Sequence, residues 1–335
     1  MNMPIFMAVA LIGFATIARA DETVSVNVDN FVRAETDHYF QLRADNGFYG
    51  RIKHIREPVS VDDQPVVRAS RDFLLSYAVF DLTTPVTVTM PDAKGRFQSL
   101  RAINQDHYIV SNTYDPGDHV FTQEKVGTRY LYLAVRTVID PDDPKDLAAA
   151  HTLQDQITWK QEAVGKLELP NWDQKQLAAV RKAILGLGPF VPDSSRMFGA
   201  KNDVDPVRHL IGTAGGWAGG PQSAAYYINV TPKMNDGKTP YILKVKDVPV
   251  DGFWSITVYN SDGYMEKSPT NAVSLNNITG KKDADGAYTI HFGGDEKASN
   301  YLAIFPGWNY IVRLYRARTE VLNGQWAFPE AEQIR

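Results

Sequence analysis

From residue 73 onward the chain breaks into short β-favouring runs parted by Gly- and Pro-bearing turns, and this cadence restricts it to antiparallel architectures. Val86–Met90 is the clearest run: Val86, Val88 and Met90 alternate with Thr87 and Thr89, and Pro85 and Pro91 close both ends. Such period-two alternation sends one face into a core and the other toward water. Residues 74–82, 97–103 and Tyr130–Val138 read as further strands, with Asp92-Ala93-Lys94-Gly95 and Asp115-Pro116-Gly117-Asp118 as turns. The pattern resumes at residues 226–230, Tyr241–Val245, 253–259, 287–292 and 310–315. Ser261-Asp262-Gly263 and Asp283-Ala284-Asp285-Gly286 turn between them. The expected fold is mainly β: an antiparallel sandwich over residues 21–140 and a jelly-roll-like pair of sheets over residues 201–335.

Helical periodicity appears in three places. Residues 29–45 space Phe31, His38, Tyr39 and Leu42 as one face of a leading helix, ended by Asn46-Gly47. Residues 145–155 are rich in helix formers. Leu177, Val180, Ile184 and Leu187 recur at intervals of three and four, with Asp173 as the cap and Gly186, Gly188 and Pro189 as the stop. Residues 141–200 therefore read as a helical connector packed between two β domains.

A length of 335 residues favours two domains, and 44% hydrophobic with 22% charged residues is the composition of a globule. The formal net charge is −4, and no basic stripe stands out, which argues against nucleic acid and anionic membrane surfaces as partners. The chain has no cysteine, which excludes disulfides, thiolate catalysis, Cys-ligated zinc and iron–sulfur clusters.

Residues 4–17 form an uncharged apolar run followed by Ala18-Arg19-Ala20, a small-x-small motif that signal peptidase would cut before Asp21. The run falls short of the roughly 20 apolar residues that span a bilayer. The expectation is a signal peptide over residues 1–20, a periplasmic or secreted product and no stable membrane span. No cysteine follows the run to accept a lipid.

Motifs with specific chemistry are few. The Gly-rich stretch from Gly212 to Gly220 lacks the Lys-Ser/Thr of a phosphate loop and the βαβ setting of a dinucleotide site, so it reads as a tightly turned connector. Asp283-Ala284-Asp285-Gly286 lacks the later ligands of a calcium loop and reads as a hairpin turn. The seven histidines never fall in a zinc spacing, and no metal or cofactor is implied. Asp106-His107 is the one pair in which a carboxylate could orient a general base, with Asp118-His119 returning across a turn. Arg136 shares a strand face with Tyr130, Tyr132 and Ala134, and Arg313 shares one with Ile311 and Tyr315. An arginine among aromatics can hold a carboxylate or phosphate; the alternative is packing with an ion pair at a sheet edge.

Several segments together carry a resemblance: residues 66–76, Asp106-His107-Tyr108, Gly216-Trp217-Ala218-Gly219-Gly220-Pro221, Val248-Pro249-Val250-Asp251-Gly252-Phe253-Trp254-Ser255-Ile256, and Arg313-Leu314-Tyr315 with Trp326. They resemble a bacterial exported family that pairs an N-terminal domain of unknown function 1254 with a C-terminal domain of unknown function 1214. The resemblance implies an immunoglobulin-like N-terminal sandwich and a jelly-roll-like C-terminal domain, and no settled activity. Ser70-Arg71-Asp72-Phe73 stands where members carry Asn-Arg-Asp-Thr, and Ala218 stands where members carry Gly.

The leading expectation is a binding or envelope-associated protein that holds a small molecule or envelope component in a cleft between two β domains. Arg71, Asp72, Trp217, Tyr226 and Arg313 are its candidate binding residues. The rivals are a periplasmic hydrolase using Asp106 and His107 as catalytic residues, and a structural assembly module whose exposed sheet edges make a homo-oligomer.

Overall fold

In a computed structural model, which describes residues 22–64 and 66–334, each run with strict alternation forms a strand and the expected turns lie between strands, except that Gly117 and Asp118 already belong to the strand that follows. The proposed signal peptide lies outside the described residues. The leading helix α1 (Phe31–Asp45) is followed by β1 (Lys53–Ile55), β2 (Phe73–Asp81), β3 (Val86–Met90), β4 (Gln98–Asn104), β5 (Ile109–Thr113), β6 (Gly117–Phe121), the short α2 (Gln123–Val126) and β7 (Tyr130–Val138). A sheet of order β1-β2-β7-β4-β5 stacks on one of order β6-β3-β8, where β8 is Thr158–Gln161. Between them Phe80, Val86, Val88, Leu100, Leu131 and Leu133 lose essentially all contact with water. At roughly 1.5–3 kcal/mol for each large aliphatic or aromatic side chain buried, that face drives the assembly of this half.

The middle of the chain holds α3 (Pro144–Asp155), α4 (Gln174–Leu185) and α5 (Pro206–Gly215). Asp143, Asp173 and Asp205 each cap a following helix by accepting hydrogen bonds from its first backbone amides. This segment is not purely helical, because β8 interrupts it and pairs with β3. Nor does α4 sit between sheets: Leu177 and Ile184 pack with Phe31 and Ala34 of α1 and Ile211 of α5. Helix α1 has the expected extent but a different buried face, Phe31, Ala34, Asp37 and Phe40, and leaves Leu42 exposed. Gly212 and Gly215, expected in a connector, lie within α5. Gly212 is needed there because a Cβ would stand 2.9 Å from Met197 and 3.1 Å from Phe198.

The remaining elements are β9 (Ala225–Val230), β10 (Tyr241–Val245), β11 (Trp254–Tyr259), β12 (Ser274–Asn276), β13 (Tyr288–Phe292), β14 (Tyr301–Leu302), β15 (Asn309–Tyr315), α6 (Thr319–Leu322) and β16 (Glu332–Gln333). They build two four-stranded sheets, β12-β11-β15-β9 and β14-β13-β10-β16. Ile256, Val258, Ile290, Phe292, Trp308, Tyr310 and Leu314 fill the space between them. The fold is mainly β, with stacked sheets that are antiparallel apart from the short β13–β14 pair, and no closed barrel. No helix among the described residues is long and apolar enough to cross a membrane.

Candidate functional site

Asp106 and His107 lie in the turn between β4 and β5, but their side chains part. The Asp106 carboxylate accepts from Arg33 Nε at 2.9 Å and Nη2 at 2.5 Å. His107, with φ +60° and 2% exposure, points the other way. Its Nε2 accepts from the Ala218 backbone amide at 2.8 Å, which leaves the proton on Nδ1. Nδ1 then donates to Thr213 Oγ1 at 2.8 Å, and Thr213 donates to the His209 carbonyl. Burial, with the nearby His209 and Arg101, holds the ring well below the ordinary histidine pKa. A neutral ring with both nitrogens engaged and no facing carboxylate is a positioning group, so the Asp–His dyad of the hydrolase reading is not formed.

What His107 positions is the segment after α5. Trp217 stacks on it at 5.7 Å and on Tyr39 of α1 at 4.4 Å, while His209 and Tyr108 extend the column on the other side. The column holds residues 216–220 against the outer face of the five-stranded sheet. Ala218 keeps φ +63° there, although Gly is the residue at ease in that region.

Asp72 and Arg313 do come together, in a sealed polar seam between the two halves. Asp72 accepts from Ser70 Oγ at 2.6 Å, Ser255 Oγ at 2.7 Å and Asn276 Nδ2 at 3.2 Å. Arg313 donates to Thr257 Oγ1, to Tyr259 Oη and to the Arg68 carbonyl, and Tyr259 donates to the Ala69 carbonyl. Every polar atom named here is matched within the chain, so the seam is a joint and not an open binding site. Arg71 turns away toward Asp142 at 3.4 Å. Tyr226 pairs with Leu314 and packs into the C-terminal core, the face opposite Arg313.

An unmatched set of cations lies beside this seam. In strand register Tyr77, Ala134, Arg101 and Asn112 form one row across β2, β7, β4 and β5, and Leu75, Arg136 and Ser99 form the next. Both rows belong to the outer face, so Arg101 and Arg136 are neighbours on central strands rather than at an edge. Arg101 is 5% exposed and donates only to neutral oxygens, Asn112 Oδ1 at 3.0 Å and the Ala218 carbonyl at 3.2 Å. Burial first, then the charge of Arg136, pushes its pKa down to about 9, the mark of a cation held without a counter-charge. Gly220 admits it: a Cβ would stand 2.3 Å from Nη2. Arg136 is half-buried, lies 5.9 Å from the centre of the Phe73 ring, and has no hydrogen bond or ion pair among the described residues. Tyr227, 42% exposed, and Tyr114 face the same pair.

Sequence reasoning reached Arg136 and its aromatic face but missed Arg101. The available signal was a single charge in the apolar run Leu100-Arg101-Ala102-Ile103. No cluster of three or more His, Asp or Glu that could hold a metal occurs among the described residues.

A search of curated proteins found no match. Among solved structures, the chain is similar to the VPA0106 protein from Vibrio parahaemolyticus, with 19% identity and a TM-score of 0.70 over 92% of this chain and 100% of that one. It also aligns with an uncharacterized protein from Burkholderia cenocepacia, with 12% identity and a TM-score of 0.49 over 91% and 87% of the two chains. The first of these likenesses is one of fold. Residues 224–319 match a family model described as a protein of unknown function, DUF1214.

Proposed function

We propose that the protein is an exported binding protein that takes a small anionic molecule, a carboxylate or phosphate ester, in the groove between the outer face of the five-stranded sheet and β9. The observation that carries this reading is Arg136, half-buried beside the counter-charge-free Arg101 with no anion of the chain's own to meet. Guanidinium groups stay protonated at neutral pH and present planar donors suited to carboxylate and phosphate. Two of them without a carboxylate repel one another, and a bound anion relieves that repulsion. Tyr227 and Tyr114 supply hydroxyl and ring surface for orientation. The apolar run and Ala18-Arg19-Ala20 support export, and the companion N-terminal family, domain of unknown function 1254, is part of the same reading.

Thermal denaturation of residues 21–335 against a panel of carboxylates and phosphate esters tests it. A ligand at a hundred times its Kd stabilises by about 2.7 kcal/mol, and Arg136→Gln removes that gain without lowering the melting temperature of the free protein. Ligand-induced stabilisation that survives Arg136→Gln, or a panel with no stabilising anion, sinks the proposal.

A further inference from the structure

The anion groove does not end at Arg136. The Arg101 row continues past Tyr77 to Lys53 of β1, and the Arg136 row continues past Leu75 to Ile55. Leu75, Tyr77 and Ala134 are only partly buried and Ile55 is 40% exposed, so an apolar strip runs from the arginine pair to the sheet edge. No residue in either row is acidic.

At the far end stands a second set of cations. Arg43, from the last turn of α1, lies 4.4 Å from the centre of the Tyr77 ring, and its buried Nε has no hydrogen-bond partner. Lys53 Nζ lies 5.1 Å from the centre of the Phe48 ring and donates to the Asn46 carbonyl. Arg51 donates to the Gly47 carbonyl. Arg51 and Lys53 also line a depression of about 320 Å³. None of Arg43, Arg51 and Lys53 has a carboxylate partner among the described residues. Capping the end of α1 accounts for the Arg51 and Lys53 carbonyl contacts. It leaves Arg43, which caps nothing. Tyr77 and Tyr132 stack at 5.8 Å between the two cation sets. Burial raises both hydroxyls, and Arg43 and Arg136 each pull against that rise.

Resting on the anion-binding reading above, we infer that the ligand carries two anionic groups joined by an apolar spacer, lying across the strands with one anion at Arg101 and Arg136 and the other at Arg43 and Lys53. Two strand spacings separate the sets, so the anions lie about 10 Å apart. Linear saturated α,ω-dicarboxylates of increasing length, each paired with the monocarboxylate of equal length, are the probes, with calorimetry on residues 21–335. The dicarboxylate spanning that distance binds about tenfold or more tightly than its monocarboxylate. Arg43→Gln removes the advantage and leaves monocarboxylate binding unchanged, while Arg43→Lys retains part of it. If the second carboxylate adds nothing at any length, or Arg43→Gln weakens both probes alike, the two-anion inference is overturned while the anion site stands. If Arg136→Gln changes neither probe, or no probe binds, the anion site itself is refuted and this inference falls with it.

Discussion

Removal of the Asp72 carboxylate is the sharpest test of how the two halves are joined. The side chain is 2% exposed and accepts three hydrogen bonds, two of them from Ser255 and Asn276 in the distant half of the chain. Asp72→Ala strands the buried donors of Ser255 and Asn276 and the half-buried one of Ser70, and deprives the buried Arg313 of its nearby negative charge. Breaking one partner of a buried charged network costs about 3–5 kcal/mol. Ser255→Ala removes one donor while Asp72 keeps two, and so costs only about 1 kcal/mol. Because both substitutions act on the same bond, the double variant is less destabilised than the sum, by about 1 kcal/mol. Urea denaturation followed by fluorescence and circular dichroism, with coincident transitions, measures all four proteins. A loss below about 1 kcal/mol for Asp72→Ala, or strict additivity in the cycle, would refute the assignment of the seam as the joint.

His107 is held neutral in the fold, with a pKa well below its unfolded value near 6.5, so the unfolded chain takes up the proton first. Stability therefore falls as pH drops below about 6.5, and in His107→Asn denaturation midpoints measured from pH 7 to 5 flatten; an unchanged slope counts against the buried neutral ring. Asp37, whose carboxyl burial raises, works in the opposite sense, its contribution being lost as pH rises through the folded value. The proposed export predicts a mature N terminus at Asp21 by mass spectrometry, and an uncut chain counts against the signal-peptide reading.

The parts of the fold that were legible are those where one residue property decides. Val86–Met90 and Tyr130–Val138 emerge with the predicted bounds because alternation leaves one consistent set of inward side chains. Asp173 caps α4 as expected because a short acidic side chain has one obvious use there. The strands that escaped, β1, β5, β8, β12, β14 and β16, are two to five residues long and pair at sheet edges, where pairing partners rather than local pattern make the strand. Helix α5 hid behind its glycines, of which Gly212 serves close packing against Met197 and Phe198.

The site was harder to read because neighbours in sequence are not neighbours in a turn. Asp106 and His107 diverge at a left-handed residue, whereas Arg101 and Arg136, far apart in the chain, converge through strand register. Arg71 and Asp72 diverge as well, one toward Asp142 and the other into the seam. Only Arg136 announced itself, because its aromatic strand face was visible at period two.

Arg313 reaches back across 245 residues to the Arg68 carbonyl. The five-stranded sheet has all its strands once β7 is made, but Tyr227 arrives with β9, which pairs with β15, the last long strand. Closing so long a stretch is slow relative to local pairing, so the joint forms late in folding. Until it does, the arginine face looks onto open water with no opposite wall. On the proposed function, selectivity for an anion is acquired at the end of assembly, and a shortened chain that keeps every N-terminal strand would still lack it.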